Sequence, residues 1–171
     1  MNIRPCREGE EQQILSVIND GAEAYRGIIP ADCWKEPYMP GAELRAEIGA
    51  GVAFWCAEMD GQMAGVMGIQ HVNDVSLIRH SYVRSAIQGK GIGKALLKRL
   101  LAETDRPVLV GTWASAEWAV RFYGRNGFTL LSRVEGEGLL RRYWKINDRQ
   151  IQTSVVLGDG KRCAVRKGAG N

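Results

Sequence analysis

The stretch SAIQGKGIGKALLKRLL (Ser85–Leu101) places three glycines at alternate positions directly before an apolar helical stripe. The glycines are Gly89, Gly91 and Gly93. Glycine lets the backbone turn sharply and approach a ligand closely. The first amides of the helix that follows have no carbonyl partner and lie at the positive end of its dipole. The stretch therefore predicts an anion site, phosphate above all, at a helix start.

Two common phosphate-binding patterns do not fit this spacing. A Walker A loop needs glycine at position 88 and serine or threonine at position 95, where Gln88 and Ala95 stand. A dinucleotide-binding fingerprint needs glycine at position 94 or a small residue at position 96, where Lys94 and Leu96 stand. Both patterns are excluded.

The remaining pattern is Gln88-x-x-Gly91-x-Gly93, which follows a predicted strand and opens a predicted helix. Lys90 and Lys94 add positive charge beside it. The alternative is a glycine-rich turn that only starts a helix. The strand, loop and helix context favours phosphate binding.

Length and composition indicate which general class of protein this chain belongs to. The 171 residues, 45% of them apolar, predict one domain with a real core. A net charge of +4, spread along the chain, does not indicate nucleic acid and suits an anionic small molecule. The start of the chain is polar, and no apolar run approaches the ~20 residues of a membrane span. We therefore predict a cytoplasmic protein without a membrane partner.

The cysteines and histidines indicate neither a disulfide nor a metal site. The four cysteines form no CxxC pair, and the two histidines lack metal-ligand spacing to them. We therefore predict buried free thiols and no metal.

Hydrophobic periodicity predicts an α/β (α+β) fold. The period is two from Val52 to Val83, with a hairpin turn at Asp60-Gly61, which predicts a three-stranded antiparallel meander. Strands and helices then alternate, as parallel pairing requires. Residues 136–146 read as a short helix or an irregular crossing. The remaining predicted strands cover residues 2–6, 108–113, 128–131 and 151–157, and the predicted helices cover residues 10–24, 42–49, 91–103 and 116–125.

A proline-punctuated segment, GIIPADCWKEPYMP (residues 27–40), carries large apolar side chains without a periodic face. Such a loop either covers a ligand or packs irregularly on the core. The sequence leaves both readings open.

Two motifs together resemble a known family. VRSAIQGKGIGKALL (residues 83–97) resembles the acyl-CoA pyrophosphate motif of the GNAT superfamily of N-acetyltransferases, and AVRFYGRNGF (residues 119–128) resembles its second motif. One departure is Ser85, where proline is commoner in the family. The resemblance covers residues 1–157 as one acetyltransferase domain. It leaves residues 158–171 as a basic C-terminal tail, expected to be disordered.

The resemblance implies a fold and a cofactor. The family has a mixed central sheet of six to seven strands, splayed between strands 4 and 5, with about four helices, and it often forms homodimers. Its co-substrate is acetyl-CoA, whose thioester carbonyl would face the Val83 N–H. The coenzyme site implied by the resemblance consists of Tyr82, Val83, Gln88, Gly89, Lys90, Gly91, Ile92, Gly93, Lys94, Ser115, Ala119 and Phe122.

The resemblance also directs attention to the proton-transfer groups. Tyr123 occupies the place of the family's leaving-group tyrosine and is the candidate general acid; the alternative is a core aromatic side chain. His80 is the candidate general base, because it lies on the strand leading to the acyl site and histidine is the usual side chain for proton transfer near neutral pH. An inert strand histidine is the alternative, and His71 and Glu36 are further candidates.

The expected reaction is direct transfer of an acetyl group to a primary amine of a small molecule, an amino acid or an amino-acid-like toxin. Two alternatives stay open: a protein N-terminal or lysine acetyltransferase, and a non-catalytic acyl-CoA-binding module. The candidate substrate-binding residues are Trp34, Glu36, Tyr38, Arg79 and Trp113.

Overall fold

The computed structural model describes residues 1–160. Most of the predicted tail, together with Cys163, lies outside these described residues. The strands are β1 (Asn2–Pro5), β2 (Val52–Met59), β3 (Gln62–Val72), β4 (Val75–Val83), β5 (Val108–Trp113), β6 (Phe128–Leu130) and β7 (Ser154–Asp159). The α-helices are α1 (Glu11–Ala22), α2 (Gly41–Gly49), α3 (Ile92–Ala102), α4 (Glu117–Arg125), α5 (Arg133–Tyr143) and α6 (Asp148–Gln152).

The seven strands form one mixed sheet in the order β1-β2-β3-β4-β5-β7-β6. Neighbouring strands are antiparallel except β4 and β5, which are parallel. The predicted meander is β2 to β4. The predicted α/β (α+β) fold with a mixed sheet of six to seven strands is confirmed.

The chain has more helix than the sequence predicted, six α-helices within residues 1–160 against about four expected. The uncertain segment 136–146 is mainly α5, which begins earlier because Ser132 and Glu135 form a capping box. The predicted final strand 151–157 is wrong at its start, where its first residues complete α6. The strand β7 extends to Asp159, past the predicted domain limit at 157, because Phe128 of β6 pairs with Asp159.

Strands β4 and β5 separate after a short parallel contact, as predicted. Their pairing extends only from Ser76↔Val108 to Ile78↔Val110. On their outer edges, β5 pairs with β7 as far as Trp113 and β4 pairs with β3 as far as Val83, so both strands continue beyond the contact between them. Each strand then leads to a different helix, α3 after β4 and α4 after β5. The gap between the diverging strands is the main opening in the sheet.

A bulge lies on β4 beside this gap. Val66 pairs with Tyr82, whereas Gly68 pairs with Arg79, so β4 contains one more residue than β3 between these pairs. His80 lies in the extra segment with a φ of 50°. A bulge of this kind bends a strand and redirects its side chains. It therefore helps β4 to turn away from β5.

Successive strand residues point to opposite faces of the sheet, so both faces carry apolar side chains. Different helices pack on each face. On one face, Leu96, Leu97 and Leu100 of α3 pack in the cluster that holds Trp55 and Ile78. On the other face, α1 and α2 cover one half of the sheet, and α5 and α6 cover the half that holds β5 and β7. The helix α4 packs beside α3 through Tyr123 and Phe122.

The cysteines within the described residues are free thiols, but only Cys56 is fully buried, whereas Cys6 and Cys33 are partly exposed. Burial raises the pKa of the Cys6 thiol. The sulfurs of Cys6 and Cys56 and a Glu10 carboxylate oxygen lie within 4.8 Å of one another. Both Glu10 oxygens, however, accept hydrogen bonds from Arg4. The guanidinium there disfavours a second cation.

No helix between residues 1 and 160 combines the length and the apolar character needed to cross a lipid bilayer.

Gly65 on β3 allows α3 to lie close to the sheet. A Cβ atom at this position would lie 2.9 Å from Ile92 Cγ2 and 3.2 Å from the Tyr82 carbonyl oxygen. We expect Gly65→Ala to lower the free energy of unfolding by about 1–3 kcal/mol, because the added methyl group overpacks this contact. Urea unfolding measures the change.

The matched control is Gly138→Ala on α5, where a new Cβ meets no atom within 4 Å. Alanine in a helix is more favourable than glycine by roughly 0.5–1 kcal/mol, so this variant should be slightly stabilised. An equal loss of stability in both variants would contradict the packing argument.

Candidate active site

A cleft of about 670 Å³ opens where β4 and β5 diverge. Residues from both faces of the sheet border it, so the cleft passes through the gap between the strands. Most of the predicted site residues meet there, although they come from β4, β5, α3, α4 and the segment before α2. These are Tyr38, Arg79, His80, Tyr82, Val83, Gln88, Gly89, Gly91, Ile92, Gly93, Lys94, Trp113, Ala119, Phe122 and Tyr123.

The glycine loop presents free amides at one end of the cleft. Gly91 precedes α3 with a φ of 81°, and Gly89 has a φ of 79°. The Ala95 N–H donates to the Gly91 carbonyl at 3.0 Å. The amides of residues 92–94 precede this first helical bond and are the unpaired amino-terminal donors. These amides lie where the sequence predicts an anion site, and that site stays a prediction.

Side-chain contacts hold this loop in place. The Gln88 amide nitrogen donates to the Val83 carbonyl at 3.2 Å, which closes the loop onto the end of β4. The Ser85 N–H donates to Asp20 of α1 at 2.6 Å, and the Ser85 hydroxyl donates to the same carboxylate at 3.0 Å. The serine at the usual proline position therefore anchors the loop entry to α1.

Tyr123 lies on α4 and is only 5% exposed, yet its side chain borders the cleft. Its ring packs against Phe122 and Phe128, at centroid distances of 5.0 and 5.6 Å. Burial raises the pKa of Tyr123 to about 12, partly offset by hydrogen bonding with Ser81. The phenol is therefore protonated throughout the neutral pH range. Tyr123 is thus a core aromatic side chain that also reaches the cleft, so its position is compatible with packing and with the predicted role as general acid.

His80 is held between a ring and a carboxylate. Its ring stacks on Phe54 with a centroid distance of 5.9 Å. Its Nε2 atom lies 3.3 Å from Oε2 of Glu47 on α2. Burial raises the pKa of Glu47, but the neighbouring His80 ring and Arg79 guanidinium outweigh burial and hold that pKa below its usual value. Glu47 is therefore a carboxylate at neutral pH.

Arg79 is already paired inside the protein. One guanidinium nitrogen donates to Glu47 at 2.7 Å, and another donates to Gln70 at 2.7 Å. A substrate carboxylate would have to compete with Glu47 for this cation. The sequence prediction that Arg79 binds substrate therefore remains a prediction, and Glu47 is a site residue that the sequence prediction lacks.

An aromatic cluster covers the other face of the cleft. The Trp113 indole nitrogen donates to the Tyr38 hydroxyl at 3.0 Å. Tyr25, absent from the sequence prediction, packs on Tyr38 and Trp118 at centroid distances of 5.7 and 5.6 Å. Burial raises the pKa of Tyr82, which also belongs to the cluster. These rings give the cleft a largely apolar wall with hydroxyl groups inside it.

The proline-punctuated segment (residues 27–40) both reaches the cleft and packs on the core. Its Tyr38 borders the cleft, whereas its Met39 is buried against α1 and α2. The Asn19 side chain of α1 bonds to both the N–H and the carbonyl of Met39, at 2.7 and 3.1 Å. The segment is thus fixed to α1 at the point where it reaches the cleft.

Four predicted site residues lie outside the lining of the cleft. Lys90 belongs to the loop but does not border the cleft, and Ser115 is exposed beyond it. Trp34 packs on the outer side of Tyr38 at a centroid distance of 5.5 Å. Glu36 is exposed and accepts a hydrogen bond from Arg26 at 2.7 Å.

The further base candidate His71 also lies apart from the cleft. Its Nδ1 atom is 2.8 Å from the hydroxyl of Ser76, near the opposite end of β4. Because Glu36 is exposed and His71 is distant, His80 is the base candidate that borders the cleft.

The charged side chains around the cleft are mainly cationic. Arg79, Lys94 and Arg125 border it, and within residues 1–160 no aspartate or glutamate does so. Trp144, Ile146 and Gln150, which the sequence prediction lacks, complete its far wall. This lining suits a ligand with anionic groups.

The family model described as an acetyltransferase (GNAT) domain matches residues 9–140. The chain belongs to the GNAT acetyltransferase family. The resemblance stated from its two motifs and the splayed sheet is therefore confirmed.

Two curated relatives are similar in sequence to part of this chain. The chain is 30% identical to N-acetyltransferase 8F1 of Mus musculus over 106 residues, 56% of this chain and 46% of the relative. It is 30% identical to N-acetylaspartate synthetase of Danio rerio over 110 residues, 61% of this chain and 39% of the relative. The chain thus matches less than half the length of either relative.

Solved structures share the fold. A GNAT acetyltransferase from Staphylococcus aureus has a TM-score of 0.68 at 20% identity, covering 92% of this chain and 96% of its own. The PaiA N-acetyltransferase from Thermoplasma acidophilum, solved with coenzyme A, has a TM-score of 0.65 at 15% identity. The match covers 93% of this chain and 99% of the PaiA chain. At these identities the likeness shows the fold alone.

Gly91 offers a direct test of the anion site. Its φ of 81° is unfavourable for alanine by about 1–2 kcal/mol, while a Cβ there would meet no atom within 4 Å. We expect Gly91→Ala to weaken coenzyme A binding about tenfold, because the free amides would no longer be held in place. Calorimetric titration with coenzyme A measures the change.

The control is Gly49→Ala at the end of α2, where a Cβ also meets no atom within 4 Å and no positive φ is required. This variant should bind coenzyme A as the unmodified chain does. Unchanged binding by Gly91→Ala would show that the loop does not hold the ligand.

Proposed function

We propose that this chain is an acetyl-CoA-dependent N-acetyltransferase that acts on the primary amine of a small molecule. The observation that carries the proposal is the cleft through the gap between β4 and β5, with free helix amides at one end and Tyr123 inside it. Membership of the GNAT acetyltransferase family supports the same activity.

The residues at the glycine loop fit the diphosphate of coenzyme A. The amides of residues 92–94 donate no helical bond, and no atom lies within 4 Å of a Cβ position at Gly89 or Gly91, so a ligand can come close to the backbone. Lys94 adds a positive charge at the same place. Acetyl-CoA, when bound, supplies an acetyl group already activated as a thioester.

The unpaired edge of β4 completes the donor site. Beyond Ile78 the strand has no partner on the side of β5, so the backbone groups between residues 79 and 83 that do not bond to β3 face the gap. In our proposal the Val83 N–H donates to the carbonyl oxygen that gains negative charge during transfer. Donors placed where charge develops commonly contribute a few kcal/mol to catalysis.

Three proton transfers accompany the reaction. His80 takes a proton from the substrate ammonium, so that an N–H bond of the ammonium breaks and its electron pair stays on the amine. That pair forms the new C–N bond as the C–S bond breaks, and Tyr123 donates its phenolic proton to the departing sulfur. The acetylated nitrogen then gives up its extra proton to the Tyr123 phenolate, which leaves a neutral amide and restores the phenol, and His80 releases its proton to solvent. Position comes first in such catalysis, and His80 and Tyr123 border the same cleft.

The lining of the cleft disfavours an acceptor that carries several positive charges. Cationic side chains border the cleft and acidic ones do not, within the described part of the chain. A polyamine or an aminoglycoside would lack carboxylate partners there. Amino acids and amino-acid-like toxins therefore come first, and N-acetylaspartate synthetase of Danio rerio is a relative whose name indicates an amino-acid product.

The first experiment measures thiol release from acetyl-CoA with a panel of amines. The panel contains acidic, neutral and aromatic amino acids, a phosphinothricin-like compound, polyamines, an aminoglycoside, and peptides with free N-termini or lysines. Turnover with an amino acid or a related compound supports the proposal. Turnover with peptides alone would favour the protein acetyltransferase alternative, and no turnover at all would favour a non-catalytic acyl-CoA-binding module.

Tyr123→Phe separates an enzyme from a binding module. Loss of the phenolic proton donor should lower kcat by about 10²-fold, whereas the Kd for coenzyme A should be unchanged because the ring stays in place. Steady-state kinetics and calorimetry measure the two quantities.

Tyr143→Phe is the matched control. Tyr143 is also buried and donates its hydroxyl to Asp74 at 2.6 Å, but it does not border the cleft. Its kcat should equal that of the unmodified chain. A normal kcat in Tyr123→Phe would refute the role of the phenol as proton donor.

A further inference from the structure

We infer that Glu47 of α2 is a positioning residue for His80: it orients the imidazole ring and stabilises its protonated form during the reaction. The inference rests on the proposed function, because it concerns the base of that same reaction. No motif of the family pattern includes Glu47, and its place is evident only from the packing of α2 on the sheet.

The backbone at His80 is held in an unfavourable conformation. A φ of 50° is uncommon for a residue with a Cβ atom, and the bulge between the Val66↔Tyr82 and Gly68↔Arg79 pairs imposes it. Such conformations persist only where the surrounding structure determines them, and they cluster at functional sites. Here the bulge directs the His80 ring between Phe54 of β2 and Glu47 of α2.

The ring atom that faces Glu47 has one available partner. Nε2 of His80 is buried and makes no hydrogen bond of good geometry within the described residues, and Oε2 of Glu47 lies 3.3 Å away. The side chains of His80 and Glu47 are 15% and 22% exposed, so water screens the pair only partly. A proton on Nε2 therefore lies against the carboxylate.

This arrangement determines which nitrogen exchanges protons. With its hydrogen on Nε2, which lies 3.3 Å from Oε2 of Glu47, the neutral ring keeps a lone pair on Nδ1. Nδ1 then accepts the proton that leaves the substrate ammonium, and the positive charge that results lies beside the Glu47 carboxylate. Glu47 itself neither gains nor loses a proton in this step.

Arg79 acts against this effect. Its guanidinium shares Oε2 of Glu47 with His80, at 2.7 Å, and is also bonded to the neutral Gln70 of β3. The charged groups that face His80 are thus Glu47 from α2 and Arg79 from β4 itself, whereas Phe54 from β2 carries no charge. Removal of Glu47 and removal of Arg79 should have opposite effects on His80.

The test is the pH profile of kcat/KM for one amine substrate, measured for the unmodified chain, Glu47→Gln and Arg79→Met. In Glu47→Gln the acidic limb should move to lower pH by about one unit, and the plateau should fall about tenfold because the base is weaker. In Arg79→Met the acidic limb should move to higher pH. A common amine keeps its own ionisation the same in all three profiles.

The control variant is Glu43→Gln, one helical turn earlier on α2. Glu43 is more exposed than Glu47 and is paired with Lys35. The Glu43→Gln substitution removes the same charge from the same helix, and the acidic limb of its pH profile should not move. Circular dichroism melts check that each variant is folded at the temperature of the assay.

The outcomes separate this inference from the proposed function. An active enzyme whose acidic limb stays unmoved in Glu47→Gln and Arg79→Met overturns the inference alone, as does a rise in KM without a shift of the limb. If Glu47→Gln does not fold, the upward shift in Arg79→Met decides. No turnover by the unmodified chain with any amine overturns the proposed function and the inference together.

Discussion

The short parallel contact between β4 and β5 is the constraint on which the rest of the site depends. Only three residue pairs join the strands, from Ser76↔Val108 to Ile78↔Val110. Beyond them the two strands no longer pair with each other, although β5 stays paired with β7 and β4 with β3 on their outer edges, and each strand leads to a different helix. The bulge at His80 adds to this divergence. A longer parallel ladder would close the gap and leave no cleft between the two faces of the sheet.

The cleft joins two chemically different surfaces through this gap. On one face, the start of α3 offers unpaired amides and Lys94, which suit a diphosphate. On the other face, rings such as Tyr38 and Trp113 form an apolar wall that an organic acceptor can reach. In the proposed reaction, donor and acceptor would approach from opposite sides of the sheet and meet near Tyr123.

The charged side chains of Arg79 and Glu47, next to His80, are paired with each other. Glu47 contacts both Arg79 and His80, and all three are largely shielded from water. Partly buried charges are stable when they are paired and hydrogen-bonded, which the bonds of Arg79 to Glu47 and Gln70 provide. The same pairing reduces the availability of Arg79 to a substrate. Arg79, which the sequence predicts as a substrate ligand, is thus already paired with Glu47 and Gln70 in the structure.

The sequence by itself determined the local features of this protein. Glycine spacing and the apolar stripe located the glycine loop at the start of α3, and the period of two from Val52 to Val83 located the meander, because such patterns depend on residues close together in the chain. Residues such as Glu47 and Tyr25 carry no local signal, and the start of α5 depended on a cap at Ser132. Only the tertiary structure decided which distant side chains border the cleft and which, like Glu36, remain outside it. The physical reason is that these contacts arise from the packing of helices and loops over the open gap, and packing joins residues that no spacing in the chain relates.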